Sequence, residues 1–256
     1  MKVVLIQADI NKSNPDKNRQ RILRLMEEAM NQNPQVLVLP ELWNTGYAKN
    51  YSPVADMQGQ PTLGLLSSFA QKHNVNIVGG SIADYEQGKL YNRCLIINPQ
   101  GETVGDYSKI HLFSLNEEQK FFSPGEKKGK FLLDNISCGI MICYDLRFPE
   151  LSRALALDGV EIIFVCAQWP RSRIHAWRSL VCARAAENQV FMVAVNRGGR
   201  EDGLGFGSSL VAAPGGEVLA EAGEEESLLF VEVFPDQIKL VRKEINYLQD
   251  RRPELY

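Results

Sequence analysis

The sequence predicts an α/β protein in which two β-sheets pack face to face, with helices covering their outer faces. Three observations carry this. Strand-like and helix-like segments alternate from end to end. The strand-like segments number about a dozen, more than one ordinary open sheet holds. Turns that favour hairpins crowd the second half and sit badly with a (β/α)8 barrel, the other fold that alternation suggests. No linker, low-complexity tract or internal period interrupts the 256 residues, so the chain reads as a single domain over 1–256.

Each element follows from local pattern. Residues 2–8 are apolar and β-branched, a strand. Pro15 opens a stretch with apolar positions at Ile22, Leu23, Leu25, Met26, Ala29 and Met30, the spacing of an amphipathic helix with proline in its first turn. Residues 35–39 (QVLVL), bounded by Pro34 and Pro40, form a buried strand. Leu63, Leu65, Leu66, Phe69 and Ala70 predict a helix over 62–73. Strands over 75–82 and 90–98 join across a turn at 86–89, and 101–107 adds another. Residues 121–129, rich in Gly, Pro and Lys, read as a loop. Strand 136–143, helix 149–157, strand 161–167, helix 174–188 and strand 190–196 follow. Runs at 208–213, 217–220 and 227–233 are separated by Pro214-Gly215-Gly216 and an acidic turn at 224–226, a pattern that favours hairpins.

Composition removes several classes of function. Hydrophobic residues make up 45% and charged residues 23%, ordinary globular values that exclude disorder and coiled coil. A formal net charge of −3 offers no field for a polyanion, so no nucleic-acid partner is expected. No apolar run approaches the roughly 20 residues of a membrane span. The apolar start at 3–6 is too short for a signal-peptide core. A soluble, cytoplasmic protein is expected. Five scattered cysteines do not make a disulfide framework. HExxH, paired CxxC and GxGxxG are all absent, so neither a metal nor a cofactor is expected.

One thiol stands apart. Cys143 ends the apolar strand and precedes Tyr144-Asp145-Leu146-Arg147-Phe148-Pro149-Glu150, which opens a helix. A turn between strand end and helix start lies near backbone N–H groups that lower a thiol pKa or hold an oxyanion. Cys138, five residues earlier, faces the other side. Cys166 and Cys182 sit in core patterns, and a core thiol is also the ordinary fate of a residue like Cys143. A thiol nucleophile needs a base. Of three histidines only His111 lies at a strand end. Glu41 emerges directly from the buried 35–39 run, where apolar surroundings suit a carboxylate base. Lys109 follows the strand at 101–107. Solvated loop positions are the common case for both.

Three blocks together resemble the signature of the nitrilase superfamily of carbon–nitrogen hydrolases: Leu39-Pro40-Glu41-Leu42-Trp43-Asn44-Thr45-Gly46-Tyr47, Tyr107-Ser108-Lys109-Ile110-His111-Leu112-Phe113, and Gly139-Ile140-Met141-Ile142-Cys143 through Glu150. They come in that family's order, Glu, Lys, Cys, at spacings of 68 and 34 residues. Gly79-Gly80-Ser81, residues 183–189, and Gly207-Ser208-Ser209 before Pro214-Gly215-Gly216 match as well. The resemblance implies a four-layer αββα sandwich and a homodimer, with the C-terminal tail, 236–256, packing on a partner subunit. The apolar residues Leu151, Leu155, Trp177, Leu180 and Val181 on the helices at 149–157 and 174–188 also suggest a partner. The resemblance further implies Cys143 as nucleophile, Glu41 as base, Lys109 and the Tyr144 N–H as oxyanion donors, and a second glutamate before the cysteine. Glu117 and Glu118 compete for that place, and the distance to Ser123-Pro124-Gly125 favours Glu118.

Residues 144–150 and Ala167-Gln168-Trp169-Pro170 are similar to the omega-amidase group, which hydrolyses terminal amides of 2-oxo-dicarboxylic acid monoamides. The expected reaction is hydrolysis of a small carboxylate-bearing primary amide to acid and ammonia through a Cys143 thioester. Tyr144 counts against the carbamoylase and nitrilase branches, which usually carry Trp there. Arg147 is the candidate for the substrate carboxylate, or it pairs locally with Asp145 or Glu150. Trp43, Tyr47, Phe113 and Trp169 are candidates for the pocket wall, or for the core. A silent binding protein on the same fold and a redox thiol protein are the alternatives. The first has no need of an intact Glu–Lys–Cys set, and the second lacks an evident resolving cysteine.

Overall fold

The computed structural model describes residues 1–255. In chain order the elements are β1 (Lys2–Gln7), α1 (Pro15–Ala29), β2 (Val36–Val38), β3 (Asp56–Met57), α2 (Thr62–His73), β4 (Asn76–Glu86), β5 (Lys89–Ile97), β6 (Thr103–Ser108), β7 (Gly129–Leu133) and β8 (Ile136–Ile142). There follow α3 (Pro149–Leu157), β9 (Ile162–Ala167), α4 (Ile174–Asn188), β10 (Phe191–Asn196), β11 (Arg200–Glu201), β12 (Leu204–Gly205), β13 (Leu210–Ala212), β14 (Val218–Glu221), β15 (Ser227–Glu232) and α5 (Asp236–Glu244).

One sheet runs β15–β1–β2–β4–β5–β6, with β3 beside β4, and the other runs β14–β13–β10–β9–β8–β7. The centre of each is parallel, β1–β2–β4 and β8–β9–β10. Strand alternation sorts the layers. Val3, Leu5, Val36 and Val38 face the other sheet and join its Ile140 and Ile142 in one core. Val4, Ile6 and Leu37 face away, against Ile22 and Met26 of α1 and Leu66 and Phe69 of α2. Leu155 of α3 and Trp177 and Val181 of α4 cover the second sheet. The layers are helix, sheet, sheet, helix, the four-layer αββα sandwich that the resemblance implies. Among the described residues no helix is long and apolar enough to cross a membrane.

Three expectations need correction. The strand β7 lies just past the anticipated loop. Its buried Gly129, Phe131 and Leu133 alternate with exposed Lys130 and Leu132, and the opening Gly-Lys hides the pattern. It turns into β8 through Asp134-Asn135, both with positive φ (49° and 64°), as a two-residue hairpin requires. The last strand-like run does not hairpin with the one before it. β13 and β14 pair, but β15 crosses to the other sheet and pairs with β1 from Lys2↔Glu232 to Gln7↔Ser227. The Gln7 side chain draws the crossing in by donating to the carbonyls of Gly223 (2.9 Å) and Glu225 (2.7 Å). Finally, of the supposed surplus face Leu151, Leu155, Trp177 and Val181 are buried against their own sheet, and Leu180 is half-buried. Exposed apolar side chains include Leu157 at the end of α3 and Phe234, Leu240 and Ile245 in and around α5.

Candidate active site

Four strand ends of the two sheets bring the site together. Glu41 sits just past β2. Gly79-Gly80 forms an irregularity in β4 where the register to β5 shifts. Gly80 has φ +62°, and a Cβ there would lie 2.2 Å from the Pro40 carbonyl oxygen. Only glycine allows this approach. Ser81 then holds the turn, donating its N–H to Pro40 O (3.0 Å) and accepting Leu42 N–H on its hydroxyl (2.9 Å). Lys109 follows β6, with its N–H on Asn92 O and its carbonyl accepting Gly125 N–H, both at 2.9 Å.

Cys143 follows β8 as the first residue of a 3-10 turn, Cys143–Arg147. Its φ of +44° places a non-glycine residue in the left-handed region, as a sharp strand-to-helix turn demands. Asp145 braces that turn. Its buried carboxylate accepts Ile142 N–H (2.9 Å), the Tyr107 hydroxyl (2.7 Å) and His111 N–H (3.0 Å), with His111 Nδ1 at 2.8 Å. A carboxylate only accepts, so Nδ1 carries the hydrogen. His111, stacked on Phe148, therefore ties the lysine loop to the cysteine turn. It is engaged with Asp145 rather than with Cys143.

The charged groups converge around Lys109. Its buried Nζ donates to Glu41 Oε1 at 2.8 Å and to Glu118 Oε1 at 2.9 Å. Asn92 Nδ2 donates to the same Glu41 oxygen at 2.9 Å, and the Gln168 N–H reaches Oε2 at 2.9 Å. Tyr47 lays its hydroxyl between the two carboxylates, 2.8 Å from Glu118 and 3.2 Å from Glu41. Glu118 Oε2 accepts Phe113 N–H at 3.0 Å. Glu117 points to solvent and pairs with Lys120. The structure thus brings Glu118 into the cluster and leaves Glu117 out.

Electrostatics follow from that crowding. Burial pushes the Cys143 thiol well up, Glu41 adds to this, and Lys109 offsets part of it. Burial works against charge on Lys109, but Glu41 and Glu118 outweigh it and hold the ammonium on. Burial raises the Glu118 carboxyl, Lys109 lowers it, and Glu41 raises it again.

The cluster opens into a cleft of about 430 Å³. Cys143, Tyr144, Tyr47, Phe113, Trp169 and Arg147 all line it. The Arg147 guanidinium lies 4.6 Å from the centre of the Trp169 ring. Asp145 is engaged by the backbone and by Tyr107 and His111, and no salt bridge joins Arg147 to a carboxylate among the described residues. Tyr144 sits in the first turn of the 3-10 helix, where an N–H has no partner within the turn. Trp43 does not reach the cleft. It is wholly buried beneath the helices, its indole N–H on Gly79 O at 2.7 Å, because the tight turn after Glu41 sends it to the opposite face.

The carbon-nitrogen hydrolase family model matches residues 2–243. The chain belongs to the carbon–nitrogen hydrolase family. This hydrolase is 38% identical to the 2-oxoglutaramate amidase of Bacillus subtilis, over 98% of its own length and 97% of the relative's. It is 32% identical to the omega-amidase NIT2 of Homo sapiens, over 100% and 96%. The structure of XC1258 from Xanthomonas campestris, a CN-hydrolase superfamily protein with an arsenic adduct in the active site, superposes with a TM-score of 0.92 at 25% identity, over 98% and 97%.

Asn92 and Asn196 carry no sequence expectation, and Gln168 carries one only as part of the segment similar to omega-amidases. Asn92 and Gln168 both donate to Glu41. Buried Asn196 grips Trp169 by both backbone groups, accepting its N–H (2.7 Å) and donating to its carbonyl (2.9 Å). The available signal was position: Gln168 and Asn196 each end or follow an all-apolar parallel strand, where a polar residue is out of pattern.

Proposed function

We propose that the hydrolase cleaves small primary amides bearing a carboxylate at the far end, releasing ammonia by way of a thioester on Cys143. The observation that carries this is Lys109 held between Glu41 and Glu118 beside the Cys143 thiol, in a cleft that also presents an unpaired Arg147. The names of the two relatives, 2-oxoglutaramate amidase and omega-amidase, support the substrate class.

Glu41 Oε1 accepts from Lys109, Asn92 and Tyr47 while Oε2 accepts only the Gln168 N–H, so Oε2 takes the proton as the Cys143 sulfur attacks the amide carbon. Negative charge forms on the amide oxygen. An ammonium has three hydrogens, and carboxylates hold two of those on Lys109. The third, with the Tyr144 N–H, binds the oxyanion. As the tetrahedral species collapses, the C–N bond breaks and Glu41 returns its proton to the leaving nitrogen. Ammonia departs and the acyl group stays on sulfur. Water, deprotonated by Glu41, attacks the thioester carbon. Collapse breaks the C–S bond and the thiol recovers the proton. Glu118 keeps Lys109 aligned. Arg147 pairs with the substrate carboxylate across the Trp169 face, and Tyr47 and Phe113 close the wall. The set needs neither metal nor cofactor for these steps.

The five free thiols suit a reducing compartment, and we place the enzyme in the cytoplasm as a homodimer. A panel of 2-oxoglutaramate, succinamate, propionamide, glutamine, N-carbamoyl amino acids and nitriles, read by ammonia release, tests the activity. The carboxylate-bearing amides should be fastest, and Arg147→Ala should slow those selectively. Preference for neutral amides or N-carbamoyl amino acids would sink the substrate assignment. Cys143→Ala should be inert yet folded, and mass spectrometry should show a thioester in wild type but none in Glu41→Gln.

A further inference from the structure

We propose that Arg197 is a positioning residue for Glu41, acting through Gln168. This rests on the reading of Glu41 as the base. Arg197 follows β10 and is fully buried. Its Nη1 donates to Gln168 Oε1 (3.2 Å) and Glu201 Oε2 (2.8 Å), and its Nη2 to Asp9 Oδ1 (3.1 Å) and Ile10 O (2.8 Å). The Phe206 ring covers it, its centre 4.5 Å away. Gln168 in turn holds Glu41 at two points. Its Nε2 donates to the Glu41 carbonyl at 2.7 Å, and its backbone N–H to Oε2 at 2.9 Å.

The chemistry of the amide makes the arginine matter. A glutamine amide has an accepting end and a donating end, and rotating it exchanges them at little cost. A guanidinium only donates, so it admits only the oxygen end of Gln168. The nitrogen end is then forced toward the Glu41 carbonyl. Without Arg197 the buried Gln168 oxygen loses its donor, and the amide is held only by its bond to the Glu41 carbonyl. The side chain would then re-aim its oxygen toward another donor, and the Glu41 carbonyl and carboxylate it holds would be less firmly placed. The fork of an arginine meets four acceptors from three segments at once, which a lysine ammonium does not reproduce. Two of those acceptors, Asp9 and Glu201, balance the buried charge. Glu201 also lines the cleft, so the β11–β12 rim and the base share one residue.

The test compares Arg197→Lys, Gln168→Leu and the double variant with wild type, on whichever amide wild type hydrolyses best. Thermal denaturation tracks folding, and the pH dependence of Cys143 alkylation by iodoacetamide reads the base without turnover. Each single variant should lower kcat roughly 10- to 100-fold with KM within about twofold, and should shift the alkylation profile. The double variant should be no worse than Gln168→Leu alone. Additive losses, or wild-type kcat and alkylation in folded Arg197→Lys, overturn the proposal. If Arg197→Lys does not fold, Glu201→Gln removes one anchor of the guanidinium and carries the same test. It should lower kcat and shift the alkylation profile less strongly, and no change in either overturns the proposal. Wild type that releases no ammonia from any amide sinks the amidase reading, while the alkylation profiles still decide on Arg197.

Discussion

Lys109 is the residue on which the site's charge balance turns. It is wholly buried between two carboxylates, with one ammonium hydrogen left over. Removing it should therefore have two separable effects. In the proposed mechanism Lys109→Ala loses an oxyanion donor, at a cost of about 3–4 kcal/mol in kcat/KM. It also leaves Glu41 and Glu118 buried without a counter-charge, which should cost about 3–5 kcal/mol of stability in urea denaturation. A variant inactive at wild-type stability would mean that the carboxylates find another partner or take up a proton. Cys143 differs, because burial and Glu41 keep it a thiol. In the proposed mechanism its nucleophilicity is gated by transfer of the proton to Glu41 during attack.

At the scale of elements, the site depends on places where strands stop being regular. β2 ends at Val38, and the β4 irregularity at Gly79-Gly80 lets Leu39-Pro40 pass close enough to aim Glu41 inward. Gly80→Ala would set a Cβ 2.2 Å from Pro40 O in a backbone of positive φ. We expect it to destabilise by at least about 1–3 kcal/mol and to lower kcat far more than the folded fraction accounts for. Denaturation and kcat measured on the same sample check this, and wild-type kcat in folded Gly80→Ala would show that the irregularity does not aim Glu41. The 3-10 turn after β8 depends in the same way on Asp145, whose carboxylate joins β6, the lysine loop and the cysteine turn.

For the whole molecule, several buried groups share one titration direction. Burial pushes up the thiols of Cys138, Cys143 and Cys166 and the hydroxyls of Tyr47 and Tyr107. Their ordinary values are about 9 and 10. Above those values the unfolded chain releases protons that the folded chain keeps. Their stabilising contribution is full below about pH 9 and falls as pH rises. Calorimetry from pH 7 to 10.5 should show Tm declining once pH passes about 9, and a flat Tm there would contradict the shifts. Phe234, Leu240 and Ile245 around α5 are among the exposed apolar side chains, and for the proposed homodimer we take them as the partner surface. Sedimentation should give about twice 28.7 kDa, and Leu240→Glu with Ile245→Glu should favour the monomer. Wild type sedimenting as a monomer at micromolar concentration removes the dimer.

The sequence by itself determined the alternation of the main strands and helices, the helix bounds of α2, α3 and α4, and the three strand ends that carry Glu41, Lys109 and Cys143, but not β3, β7, β11, β12 or α5. Periodicity and chain punctuation are local, so they are legible in the chain. The family resemblance called for a second glutamate, and the distance to Ser123-Pro124-Gly125 favoured Glu118 over Glu117 without deciding between them; the contact of Glu118 with Lys109 does. Only the tertiary structure decided which strand pairs with which. β15 joining β1 rather than β14 leaves no mark in its own period-two pattern, because any strand edge can accept its N–H groups. Trp43 and Tyr47 lie in one motif, yet one is core and the other lines the cleft, since the turn between them sets their directions. Gln168, Asn196 and Arg197 are polar residues at the ends of buried strands, and their meaning depends on what lies across the gap between sheets. Hydrogen-bond partners 29 residues apart in the chain, as Arg197 and Gln168 are, become visible only when folding brings the strand ends together.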